Sequence, residues 1–235
     1  MRNIFISGLF FSLIFISINT IAQIANPTRP SAADNAYLTE YGYSELEIGY
    51  LGDKDTYSIP ALIKFTLLKK LEAGLFMTGI ITNYGNETKA RDPGIQLKYQ
   101  ILNNNKFAAA LVGRIRFDNS SSPGYTFYAV PTLQTSFAQF DLTAGTSFIN
   151  NSDEYDNLYF YALAMSPKID LPIGIFGEIF GESFSGSNSL YIDFGISYPV
   201  TADFVLDTGI TFGLNESAAD WIFQIGLTKT LFKIL

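Results

Sequence analysis

Residues 190–198 read Leu190-Tyr191-Ile192-Asp193-Phe194-Gly195-Ile196-Ser197-Tyr198. Leu190, Ile192, Phe194, Ile196 and Tyr198 fall on one face of an extended chain, and Tyr191, Asp193, Gly195 and Ser197 on the other. A period of two is the signature of a strand with one apolar face; a helix would repeat every three to four residues. The same alternation runs on both sides of this stretch. Phe204, Leu206, Thr208, Ile210 and Phe212 oppose Val205, Asp207, Gly209 and Thr211. Trp221, Phe223, Ile225 and Leu227 oppose Ile222, Gln224, Gly226 and Thr228, and upstream Ile95, Leu97, Tyr99 and Ile101 oppose Gln96, Lys98 and Gln100. The pattern predicts twelve strands, near 43–51, 57–68, 71–82, 92–102, 106–117, 124–137, 140–149, 156–167, 172–182, 189–198, 203–213 and 219–231. Most run about ten residues, the length that a tilted membrane strand requires.

Composition narrows the class. The chain of 235 residues has no cysteine and no histidine, so disulfide staples, the usual His/Cys zinc sites and Ser-His-Asp or Cys-His nucleophiles are excluded. No enzyme activity, catalytic residue, metal or cofactor is expected. Charged residues make up 16%, well under the share in an average soluble domain, while 21 Phe, 14 Tyr and one Trp supply aromatic surface. A net charge of −7 argues against binding nucleic acid through a basic surface.

Residues 1–22 have the three-part layout of a secretory signal peptide: Arg2, an apolar core from Ile4 to Ile18, and Thr20-Ile21-Ala22 as a small-residue cleavage site. The apolar run is short for a membrane anchor. Residues 23–43, with Pro27 and Pro30, lack a period and read as an extended periplasmic leader, a candidate plug. Residues 44–235 form the barrel. Asp, Glu, Lys or Arg interrupts every later apolar run, so a membrane-embedded chain must cross as closed strands.

Tight connections at Lys69-Lys70, Asn103–Asn105, Ala138-Gln139, 169–171 and 199–202 alternate with longer polar ones at 52–56, 83–91, 118–123, 150–155, 183–188 and 214–218. Short turns on one rim and longer loops on the other fit an outer-membrane barrel. Tyr50, Phe117, Tyr125, Phe127, Phe148 and Trp221 lie at the loop ends of strands, and Phe65, Phe107, Phe137, Phe140, Tyr198 and Phe204 at the turn ends. Two aromatic girdles match two membrane interfaces. A soluble sandwich also uses Phe and Tyr in its core, but its solvent face normally carries many Lys and Glu, and here that face is Thr, Ser, Gly, Gln and Tyr. The expected fold is all-β, a transmembrane antiparallel up-and-down β-barrel of about 12 strands preceded by a signal peptide.

With the apolar face toward lipid, the lumen receives a basic set, Lys64, Lys98, Arg114 and Arg116, and an acidic set, Asp141, Glu178, Asp193 and Asp207, together with Glu45, Glu47, Glu72 and Glu182. In a closed ring this sets a basic wall across from an acidic wall, a transverse field able to orient dipolar solutes or select ions. The other reading is salt-bridged scaffolding inside a narrow barrel. Leu158 to Met165 is apolar on both faces and carries no orientation signal. Asp153, Glu154 and Asp156 form an acidic loop that reads as solvated rather than as a calcium site.

The stretches Arg29–Ala36, Gly42–Tyr50, Tyr57–Phe65 and Gly94–Leu102 resemble the bacterial outer-membrane transporter β-barrel family tied to the meta-pathway of phenol degradation. The resemblance implies a twelve-stranded, porin-like barrel in a Gram-negative bacterium that passes small hydrophobic or aromatic solutes, and it carries over no catalytic residues. The chain departs from the common aromatic ending of such barrels, with Phe232 followed by Lys233-Ile234-Leu235. Taken together, the expectation is an outer-membrane channel for passive passage of small solutes, with a closed structural or surface-binding barrel as the alternative. Its partners would be outer-membrane lipid, a small solute and the barrel-assembly machinery, and it would be a monomer.

Overall fold

In the computed structural model, residues 24–84, 87–117, 122–151 and 154–234 are described. Residues 1–23, 85–86, 118–121, 152–153 and 235 lie outside them, among them the expected signal peptide 1–22 and Asp153 of the acidic stretch. The strands are β1 (Tyr43–Gly52), β2 (Thr56–Ser58), β3 (Ala61–Leu68), β4 (Leu71–Tyr84), β5 (Glu87–Asn103), β6 (Phe107–Arg116), β7 (Gly124–Gln134), β8 (Ala138–Asn151), β9 (Glu154–Pro167), β10 (Gly174–Phe184), β11 (Ser187–Thr201), β12 (Phe204–Gly213) and β13 (Trp221–Lys233). Each stave pairs antiparallel with its neighbours, and β13 returns to β1 from Tyr43 opposite Lys233 to Gly52 opposite Phe223, so the sheet closes. The β2 and β3 segments are one stave, giving the twelve-stave up-and-down barrel that the alternation predicts.

The predicted single strand 57–68 is split by Pro60, which has no N–H to give to the ladder. The wall stays bonded around the break. The Ile59 N–H donates to the Ile81 carbonyl at 2.8 Å, the Ile80 N–H donates back to Ile59 at 2.7 Å, and the Pro60 carbonyl accepts from the Gly49 N–H at 3.2 Å. Four of the predicted long loops, 52–56, 83–91, 150–155 and 183–188, are shorter than expected because the strands continue into them. β10 and β11 meet across Ser185 and Gly186, both with positive φ (48° and 83°), the backbone twist that a two-residue hairpin needs. At the opposite rim Asp203 accepts from Lys229 at 2.5 Å and from Thr201 at 2.6 Å, and these bonds hold its carboxyl below the usual carboxylate range.

The barrel is the inverse of a soluble protein. Its largest fully buried side chains include Lys64, Lys98, Glu45 and Glu72, while Leu75, Leu97, Leu111 and Ile225 stand half exposed on the outside. A continuous outer band of this kind exceeds what a soluble monomer exposes. No helix among the described residues is long and apolar enough to cross a membrane, so a crossing rests on the strands. β9 resolves the face that the sequence left open: Phe160, Ala162 and Ala164 point inward, and Tyr159, Tyr161, Leu163 and Met165 outward.

Leu97 sits at the middle of the outer band on β5. Leu97→Arg is expected to destabilise the folded protein in lipid vesicles by about 2–4 kcal/mol. Urea titration in liposomes measures it, and a change near zero would place this face in water.

Candidate functional site

Residues 24–42 form no helix or strand and lie inside the barrel. A segment without secondary structure leaves its amides unpaired, and buried amides need partners. Here the wall supplies them around its circumference. The leader is tied at its start by the Ile24 N–H to the Ala202 carbonyl of the β11–β12 turn, at 2.8 Å. On β1, Glu45 accepts from the Asn26 N–H at 2.8 Å, and Glu47 from the Thr28 N–H at 3.0 Å and the Thr28 hydroxyl at 2.7 Å. Arg29 Nε then lies 3.7 Å from Asp207 on β12. Its guanidinium rests on Gly49 and Gly226, register partners on β1 and β13, where any Cβ would collide with it.

On β10, Glu178 accepts three hydrogen bonds: from the Ser31 hydroxyl at 2.8 Å, the Ala32 N–H at 2.6 Å and the Ala33 N–H at 2.9 Å. The Asp34 N–H donates to Thr143 of β8 at 2.9 Å, and its carboxylate pairs with Lys98 of β5 at 2.9 Å. Ala36 is held by Thr132 of β7 and Gln100 of β5, both at 2.8 Å, and the Thr39 N–H donates to Glu72 of β4 at 2.7 Å. Gly42 closes the circuit on Thr66 of β3 at 2.9 Å. The loop is also bridged across its own middle, from Asn26 Nδ2 to the Tyr37 carbonyl at 3.2 Å and from Asn35 Nδ2 to the Pro27 carbonyl at 3.5 Å.

Under the leader the inner wall is small and apolar. Ala108, Ala110, Val112 and Val130 of β6 and β7 pack on Ala36, and Ala162 and Ala164 of β9 pack on Ala33. Sequence reasoning did not single these residues out. A run of alanines on the face assigned to a polar lumen was the available signal.

The four basic and four acidic residues of the two sets face the lumen, but each is partnered by a nearby stave or by the leader rather than by a charge of the other set. Lys64 bonds Glu45 at 2.7 Å and Glu47 at 2.6 Å on the adjacent β1, and the Asn26 carbonyl at 2.8 Å. Lys98 pairs with the leader's Asp34, and Asp207 and Glu178 meet Arg29 and the Ser31–Ala33 segment. Asp141 accepts from Thr132 at 2.6 Å and Gln139 at 2.7 Å, and Asp193 from Gln224 at 3.1 Å. Arg116 Nε is 4.0 Å from Asp92. Arg114 donates from Nε to Gln96 at 2.7 Å, with its guanidinium 5.6 Å from the Phe76 ring centre and 5.2 Å from that of Tyr128. The leader therefore bonds to members of both sets, to Lys98 of the basic one and to Glu178 and Asp207 of the acidic one.

Cavities remain on both sides of it. On the loop side, about 350 Å³ lies against Phe76, Leu62 and Arg114, and about 360 Å³ against Tyr128, Phe160, Thr126 and Arg114. On the turn side, about 220 Å³ lies against Pro27, Pro30, Asp141 and Phe176. Among the described residues no group of carboxylates is arranged to hold a metal.

The fold and its filled lumen define a closed antiparallel barrel of the transmembrane type. Among solved structures it is similar to the NanC porin (TM-score 0.62, 12% identity, 80% of this chain and 100% of that one). It is also similar to the KdgM porin in complex with disordered oligogalacturonate (0.61, 10%, 80% and 99%). An outer-membrane channel from Pseudomonas putida F1 aligns over 88% of this chain and 99% of its own, with TM-score 0.63 and 10% identity. At these identities the likeness is one of fold. The sequence matches no protein-family model and no curated protein.

Glu178→Ala removes the acceptor of three leader hydrogen bonds. Amide exchange at Ala32 and Ala33 is expected to accelerate at least about tenfold, since bonds to a charged group contribute about 1.5–3 kcal/mol each. Hydrogen-exchange mass spectrometry reads this out, with exchange in β5 and β6 as the internal control.

Proposed function

We propose that the protein is an outer-membrane channel for small solutes whose waist is filled by its own N-terminal leader. The observation that carries this reading is the polar lumen, which holds the leader through side chains yet keeps cavities above and below it. The fold shared with porins supports the placement in the outer membrane. In this reading the chain is exported by its signal segment and inserted by the barrel-assembly machinery, and it works as a monomer in lipid contact, with the loop rim outward. Hydrophobic or aromatic solutes are the class suggested by the resemblance to phenol meta-pathway barrels, and Phe76, Tyr128 and Phe160 give such solutes apolar contact inside the loop-side mouth.

Deleting residues 24–40, which keeps the Gly42 contacts, is expected to raise single-channel conductance in planar bilayers severalfold. Unchanged conductance would overturn the plug. Silence in both forms, with the barrel demonstrably folded, would favour the second reading, a closed structural or surface-binding barrel. That alternative is favoured by one feature, the burial of the Lys64–Glu45–Glu47 cluster as scaffolding.

The basic and acidic sets are proposed to bias the permeating ion. Arg114 and Arg116 lie toward the loop mouth, above the leader, so they act first on an entering anion. Arg114→Gln with Arg116→Gln is expected to move the reversal potential in a salt gradient toward cation preference, and an unmoved potential would sink the charged-wall idea.

A further inference from the structure

The loop-side cavity against Arg114 combines features that the channel reading alone does not require. Lys64, Lys98, Arg116 and Arg29 each have a carboxylate within 4.0 Å. Among the described residues Arg114 has none. Its Nε is occupied by Gln96, and the Phe76 and Tyr128 rings flank the guanidinium, so the head group is fixed before any ligand arrives. Its terminal nitrogens have no protein hydrogen-bond partner among the described residues, and the side chain lines both loop-side cavities.

We propose that this cavity binds a small aromatic monocarboxylate, with Arg114 as the carboxylate anchor. The inference rests on the reading that solutes enter the lumen from the loop rim. A guanidinium presents two terminal N–H groups in the geometry of a carboxylate, a match that neither a neutral solute nor a simple cation makes. Of the residues lining the cavity against Tyr128, only Asp34 and Arg114 are charged, and Asp34 is already paired with Lys98 at 2.9 Å, so Arg114 is the group there left to meet an anion. The ring finds a wall in Tyr128 and Phe160, themselves edge to face at 5.8 Å. Thr126 and Ser147, joined by a 2.8 Å hydrogen bond, line the same space and offer hydroxyls to ring substituents. The volume of about 360 Å³ is at the small end of ligand sites, and the leader backbone at Ala32 and Ala33 helps to line it, which limits the ligand to a single ring.

Sodium benzoate is the probe, titrated calorimetrically into the folded full barrel in detergent, with benzyl alcohol and acetate as the uncharged and ringless comparators. Benzoate is expected to bind at least about tenfold more tightly than either comparator. Arg114→Gln should weaken benzoate at least about tenfold, Arg114→Lys should fall between, and benzyl alcohol should not respond to either. Ser147→Phe, which fills the cavity while leaving Arg114 in place, should abolish benzoate binding and guards against a folding effect of the arginine variants. Equal benzoate affinity in Arg114→Gln, equal affinity for acetate, or no binding to the folded wild-type barrel would overturn the site. Bilayer conductance on the same preparation separates the two readings. Conductance without benzoate binding overturns the site alone, and benzoate binding without conductance supports the site and overturns transport.

Discussion

A chain segment that crosses the inside of a barrel without secondary structure must find a partner for every buried amide, and the rest of this structure follows from that requirement. Glu45, Glu47, Glu72 and Glu178 are its charged partners, each accepting from leader backbone N–H groups, and the Thr132 and Thr143 hydroxyls are neutral ones. A buried carboxylate is costly unless its lone pairs are filled. The dependence therefore runs both ways: the leader needs the wall carboxylates, and the carboxylates need the leader. Such pairs add little net stability over apolar packing, but their geometry selects one path for the leader over others.

Size sets the second half of the arrangement. Where the leader passes close to the wall, the inward residues are Ala108, Ala110, Ala162 and Ala164, and Arg29 lies over Gly49 and Gly226. Larger inward side chains would hold the backbone away from the carboxylates. Tyr128 and Phe160 stand at the boundary: they pack in the same cluster as Ala36, the Tyr128 hydroxyl donates to Asp34 at 3.3 Å, and with Phe76 they line the loop-side cavities. The small inward residues therefore mark where the leader passes closest.

This explains what could be read from the sequence and what could not. The strands were legible because lipid outside and a polar lumen inside impose strict alternation, as at Leu190–Tyr198. The lumenal side of Lys64, Lys98, Glu178 and Asp207 followed from the same alternation. Their partners did not, because a partner depends on register. Lys64 is the direct neighbour of Glu45 across β1 and β3, a fact set by pairing rather than by composition. The face of β9 was illegible for a related reason. Ala162 and Ala164 point at the leader rather than at water, so both faces are apolar and alternation in polarity vanishes there. The reading of 57–68 as one strand passes over Pro60, because the alternation continues on both sides of it, and the wall stays bonded around the break only because Ile59 and Gly49 reach their neighbours.

The distribution of contacts also constrains how a leader-filled barrel could pass anything. Both ends of the leader are tied to backbone, at Ala202 and at Thr66, and its contacts between are spread over staves on all sides of the barrel. Withdrawing it whole would break all of them together. Moving only residues 29–33 would release Glu178 and Asp207 on β10 and β12 while leaving the Asp34, Ala36 and Thr39 contacts on β4, β5, β7 and β8 in place. That segment lines both the turn-side cavity and the loop-side cavity at Tyr128. In the channel reading, the path between those two cavities runs past Arg29–Ala33, and opening it breaks the three Glu178 bonds and the Arg29–Asp207 contact while the rest of the leader stays in the barrel.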